Sequence, residues 1–68
     1  MAGFSADEAL RIGEAVRAAC VRAALDAYER ASIDGLCEEG ALEVAMDAVR
    51  GLDVRRLVEE LGRKPAEG

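Results

Sequence analysis

The two cysteines carry the most distinctive chemistry in this sequence. Cys20 and Cys37 are far from CxxC spacing, and the chain contains no histidine. A tetrahedral zinc site built from these thiols would need carboxylates or ligands from another chain. In one continuous helix the two residues would lie too far apart to form a disulfide. We expect Cys20 to be a small buried hydrophobic residue, and we predict no metal and no cofactor.

A run of carboxylates surrounds the second cysteine and offers an alternative function. Glu38 and Glu39 follow Cys37, and Glu43 and Asp47 come one and two turns later. Such a run is typical of a solvated helix face. With Cys37 these carboxylates could instead form a thiol redox or metal-binding module, which we keep as the alternative hypothesis. Because no acid–base pair or phosphate-binding loop is visible, we predict that the protein is not an enzyme.

Composition narrows the class of partner. Fourteen Asp and Glu against nine Lys and Arg give a formal charge of −5. Affinity for nucleic acid and for anionic lipid depends on clustered Lys and Arg, so we expect neither as a partner. No apolar run approaches the roughly 20 residues of a membrane span. Together with Arg-rich and Ala-rich usage, this predicts a cytoplasmic protein of bacterial origin.

The size of the chain points to association with another protein. Sixty-eight residues predict a single small helical domain over 1–62, followed by a flexible tail over 63–68. Although 51% of the residues are hydrophobic, only 3% are aromatic, so the apolar surface consists of small side chains. One core of this size rarely supplies more than a few kcal/mol. We therefore predict a homo-oligomer or a larger protein partner.

The first long helix is predicted from Ser5 to about Cys37. Ser5 and Glu8 have the spacing of a capping box. Breaker residues at 32–35 predict a kink, and the competing interpretation ends the helix at Ala31 and restarts it at Asp34. One face of the helix has helical spacing and should be its inner side. Its residues are Ile12, Val16, Ala19, Cys20, Ala23, Ala27 and Ala31.

A second apolar strip lies on another side of the same helix. It comprises Leu10, Val21, Leu25 and Tyr28, about 100–150° around from the first stripe. Two apolar faces on one short chain are more than a monomer can cover. We predict that this strip contacts a partner or a second copy, with Tyr28 as an aromatic anchor.

Two shorter helices should follow the first. Gly40 is predicted to act as a left-handed cap before a helix over 41–50, with Met46 at the margin of its apolar face. Asp53 is placed to cap a third helix, and Gly62 should end it. The expected fold is all-α: a long helix, an antiparallel hairpin and a short third helix, paired as a helical-bundle homodimer. The predicted core positions beyond the first helix are Ala45, Val49, Leu52, Leu57 and Leu61.

Residues 32–52 resemble one helix-turn-helix unit of the tetratricopeptide and pentatricopeptide repeat families. The likeness lies in the stretch from Ile33 through Gly40 and in the spacing of Gly40 and Ala45. In those families the glycine lets the chain reverse and the small alanine lets the helices approach. The resemblance implies a hairpin turn and is compatible with protein binding. There is no second copy at the repeat period, and the acidic charge disfavours RNA binding. We interpret the protein as a non-enzymatic accessory or adaptor subunit.

Overall fold

Three α-helices make up the part of the chain that the computed structural model describes, residues 5–63 with side chains as far as position 62. They are α1 at Ala6–Ile33, α2 at Glu38–Arg50 and α3 at Val54–Arg63, and residues 5–63 contain no strand. The prediction of an all-α fold with a long first helix, an antiparallel hairpin and a short third helix is confirmed. None of these three helices combines the length and the apolar character that crossing a bilayer requires.

The capping box predicted at the start of α1 is confirmed. The Ser5 hydroxyl accepts a hydrogen bond from the backbone N–H of Glu8 at 3.2 Å. In return, the Glu8 carboxylate accepts one from the backbone N–H of Ser5 at 3.3 Å. These bonds satisfy donors that the first turn leaves free, and Asp7 adds a second favourable negative charge there. From this start α1 runs for 28 residues, which makes it about 42 Å long.

The prediction that the first helix continues to Cys37 is wrong. α1 ends at Ile33, with Asp34 as its C-cap residue. The competing interpretation, with an end at Ala31 and a restart at Asp34, is also wrong, because α1 ends at Ile33 and four residues separate it from the start of α2 at Glu38. The sequence contains several breakers in this region, and their order alone does not say which of them ends the helix.

Hydrogen bonds around Gly35 explain why the helix ends where it does. Gly35 has a φ of 98°, in the left-handed region. The N–H of Leu36 donates to the Ala31 carbonyl and that of Gly35 to the Ser32 carbonyl, each at 3.0 Å. This is the Schellman arrangement, in which a left-handed residue lets the chain satisfy the last carbonyls of a helix. The left-handed cap predicted at Gly40 is therefore wrong, and Gly35 has that role.

α2 starts three residues earlier than predicted, at Glu38 instead of Ala41. Cys37 is its N-cap residue, and the Cys37 sulfur accepts from the backbone N–H of Gly40 at 3.4 Å. Glu38 and Glu39 lie in the first turn, where negative charge is favourable beside free N–H groups. Gly40 accordingly lies inside α2 and not in the turn.

The start of α3 follows the prediction, whereas its end does not. The Asp53 carboxylate accepts from the backbone N–H of Arg56 at 3.0 Å, which confirms Asp53 as the cap. α3 then continues past Gly62 and ends at Arg63, a difference of the size common at frayed helix ends. Apart from Arg63, the predicted tail falls outside the described residues, as do the first four residues of the predicted domain.

The helices pack through a thin core. α2 lies along α1, and α3 also contacts α1. Three described residues are buried: Ala31 on α1 at 5% exposure, with Ala41 at 0% and Ala45 at 4% on α2. Because each contributes a single methyl group, α1 and α2 approach closely, yet little apolar area is removed from water. No large side chain within residues 5–62 is fully buried.

Candidate protein-binding surface

Large apolar side chains lie on the surface in far greater number than in the core. Among residues 5–62, ten of them are exposed, against three buried alanines. Scattered exposed leucines are ordinary in proteins, whereas contiguous exposed apolar surface marks a binding site. The exposed residues are Leu10, Val21, Leu25, Ile33, Leu36, Leu42, Val44, Met46, Val54 and Leu61.

Most of the predicted partner strip on α1 faces solvent. Leu10, Val21 and Leu25 are 64%, 52% and 63% exposed, and Tyr28 is half-buried. Between Leu10 and Val21 the strip is interrupted by an exposed ion pair, in which Arg17 and Glu14 lie 3.1 Å apart. The continuous part of the strip therefore runs from Val21 to Tyr28, along the half of α1 nearest the turn.

The predicted inner stripe of α1 is the side on which the other helices pack. Its residues are half-buried, except for the fully buried Ala31; the half-buried ones are Ile12, Val16, Ala19, Cys20, Ala23 and Ala27. Of the core positions predicted beyond α1, Ala45 is buried, and Val49, Leu52 and Leu57 are half-buried. Leu61 differs from its predicted core position, because at 37% exposure it lies on the surface of the last turns of α3.

Leu42 and Met46 form an apolar ridge on α2 that sequence reasoning did not place on the surface. Leu42 is 55% exposed and Met46 49% exposed, whereas the sequence predicts Met46 at the margin of the apolar face of this helix. They line a shallow groove together with Glu43, Asp47 and Arg50, the last two joined by an ion pair at 2.8 Å. The signal that could have placed them on the surface is the small size of Ala41 and Ala45, the two buried residues of α2.

Five of the apolar residues of α1 and α2 lie on one side of the hairpin. At about 100° per residue, Tyr28 and Leu25 are rotated away from the buried Ala31 in one sense. Leu42 and Met46 are rotated in the same sense from the buried Ala45 on α2. Because α1 and α2 are antiparallel and face each other through these alanines, equal rotations reach the same side. We call this surface, made of Val21, Leu25, Tyr28, Leu42 and Met46, the hairpin face.

The cysteines do not lie in this face. Cys20 is half-buried on the inner stripe of α1, and the exposed Cys37 caps α2 through its bond to the Gly40 N–H. Both are free thiols. Across residues 5–63, no three Cys, Asp or Glu side chains are grouped closely enough to hold a metal ion. The described contact of Cys37 is that of a helix cap, which is a structural role.

Comparisons of this chain with protein-family models, with curated proteins and with solved structures found no match. The resemblance of residues 32–52 to a repeat unit thus rests on its sequence motif and stays a prediction. Within that stretch, Ala45 is buried where α2 packs, as a closely approaching small residue would be. Gly40, the other motif position, lies within α2, and the chain reverses at Gly35 instead.

Proposed function

We propose that this protein is a non-enzymatic interaction subunit that binds another protein chain through its hairpin face. The observation that carries the proposal is the imbalance between core and surface in the described part of the chain, which has three buried alanines and ten exposed large apolar side chains. Covering such side chains releases about 25 cal/mol per Å² of apolar area. A partner that covers these side chains therefore supplies stabilisation that the thin core does not provide.

The chemistry of the hairpin face favours a protein partner of apolar character. Leucine, valine, methionine and tyrosine provide shape and apolar area, and Met46 adapts to irregular partner surfaces because its side chain is unbranched and flexible. Tyr28 is the aromatic residue of the face; its ring supplies apolar area, and its hydroxyl group can form a hydrogen bond. The overall charge of −5 works against nucleic acid and anionic lipid as alternatives.

Photo-crosslinking in the cells that produce the protein tests this proposal. A photoreactive amino acid replaces Leu25 in one strain and Asp26 in another. Because successive helix residues are about 100° apart, Asp26 lies away from the hairpin face and serves as the matched control. We expect a crosslinked protein product from position 25 and little or none from position 26. Equal crosslinking at both positions, or none at position 25, would contradict the proposed function.

A further inference from the structure

We infer that a second copy of this chain covers the hairpin face, with the two α2 helices packed antiparallel across a two-fold axis. This inference rests on the proposed function of that face and names its occupant. The inference is supported by the apolar and charged residues along the exposed side of α2, which are arranged so that this side is complementary to an antiparallel copy of itself.

The apolar ridge of α2 is symmetric about Val44. Leu42 and Met46 are one helical turn apart and similarly exposed. When an antiparallel copy is centred at the level of Val44, Leu42 of each copy meets Met46 of the other. A closed two-fold pairing of this kind uses the same patch on both chains, and it is the commonest symmetry of soluble oligomers.

Charged residues flank this ridge with opposite signs. Glu39 lies about one turn before Leu42, and Arg50 about one turn after Met46. The angular positions of Glu39 and Arg50 around the axis of α2 differ by only about 20°, so both residues lie along the same edge of the ridge. In the antiparallel pairing, Glu39 of each copy therefore lies opposite Arg50 of the other. The two-fold axis generates two such pairs, and the attraction favours this alignment over a parallel one.

The exposed residues of α1 fit the same axis. The α1–α2 hairpin places residues equally distant from the turn side by side, and Val44 lies six residues after the first residue of α2. The position six residues before Ile33, the last residue of α1, lies between Leu25 and Tyr28. One axis thus brings Leu25 against Tyr28 of the second copy while it pairs the two ridges. The resulting dimer is a four-helix arrangement in which the hairpin face forms the central layer.

The size of the face predicts a dimer of modest affinity. The face is two helices wide, at about 10–12 Å each, and as long as α2, about 20 Å. Its projected area on each copy is therefore roughly 400 Å². This is at the low end of specific protein interfaces, where complexes are weak or transient. We therefore expect a dissociation constant in the micromolar range, and the dimer should be measured at protein concentrations around that value.

Sedimentation equilibrium of the purified full chain tests the pairing, at roughly 5 to 500 µM. We expect the mass to rise from monomer to dimer across this range. Glu39→Arg and Arg50→Glu should each weaken the dimer about tenfold, because each places like charges opposite one another twice. The double variant Glu39→Arg/Arg50→Glu restores opposite charges and should return to within about threefold of the parent. Glu59→Arg, on α3, makes the same charge change away from the ridge and should leave the dimer unchanged.

Three outcomes would overturn the inference: a parent chain that stays monomeric throughout, a double variant no better than the single ones, or an equal effect of Glu59→Arg. Circular dichroism of each variant checks that the helices remain formed, since Arg50→Glu also removes the ion pair with Asp47. A monomeric parent chain that still crosslinks from position 25 to a different protein would overturn this inference and leave the proposed function standing. Absence of any crosslinked product would instead remove the proposed function itself.

Discussion

At the scale of single residues, the backbone of Gly35 decides where α1 ends. Its φ of 98° is a conformation that residues with a Cβ adopt at a cost of about 1–2 kcal/mol. A Cβ added at Gly35 would meet no atom within 4 Å, so the penalty is a matter of backbone conformation and not of crowding. Gly13, inside α1, has equally open surroundings and a helical backbone. Alanine substitution at Gly35 thus measures the cost of the left-handed backbone, whereas substitution at Gly13 measures helix propensity.

Gly35→Ala should lower the free energy of unfolding by about 1–2 kcal/mol, because alanine disfavours the left-handed region. Gly13→Ala should raise it by about 0.5–1 kcal/mol, because glycine is a poor helix former. Urea unfolding at one fixed protein concentration measures both. A stabilising effect at position 35 would contradict the Schellman turn between α1 and α2.

Cys37 should act through its cap bond and not through thiol chemistry. The sulfur accepts from the Gly40 N–H at 3.4 Å, and a serine hydroxyl in its place is a better N-cap group. Cys37→Ser should therefore leave the free energy of unfolding unchanged or slightly raised, and Cys37→Ala should lower it by about 0.5–1 kcal/mol. Thermal melts of the two variants check the order. If Cys37→Ser were as destabilised as Cys37→Ala, the capping role would be wrong.

At the scale of helices, the contact between α1 and α2 depends on the small size of the buried alanines. Ala41 has no exposed surface, so a larger side chain there must force the helices apart. Ala41→Leu should lower the free energy of unfolding by about 1–3 kcal/mol through overpacking. Glu43→Leu introduces the same side chain at an exposed position of the same helix and should change it by less than about 0.5 kcal/mol. Similar values from the two variants in urea unfolding would contradict the close helix packing.

Some features of these helices could be predicted from local sequence and others could not. The capping box at Ser5 and the cap at Asp53 involve residues three apart, so short-range spacing suffices to identify them. Gly35 and Gly40, by contrast, are both plausible left-handed caps. The choice between them depends on which register packs Ala41 and Ala45 against α1, a contact between distant parts of the chain. The exposure of Leu42 and Met46 has the same tertiary origin.

At the scale of the whole molecule, different residues support folding and binding. Leu25 and Leu42 are both more than half exposed, so each contributes little to the stability of the single chain. The double variant Leu25→Ala/Leu42→Ala should change the free energy of unfolding, measured at low concentration, by less than about 1 kcal/mol. It should nevertheless abolish the crosslinked product formed from position 21, on the same face. Unfolding of this variant at room temperature would show that the two leucines belong to the core instead.

Hydroxyl-radical footprinting of the protein, in its native cells and as a dilute purified chain, tests directly whether the hairpin face binds a protein. We expect Leu25 and Met46 to react readily in the dilute chain and to be strongly protected in cells, where a protein partner covers the hairpin face. Ile33, 80% exposed and away from that face, is the internal reference and should react equally in both. Equal reactivity of Leu25 and Met46 in the two conditions would contradict the claim that this face binds a protein.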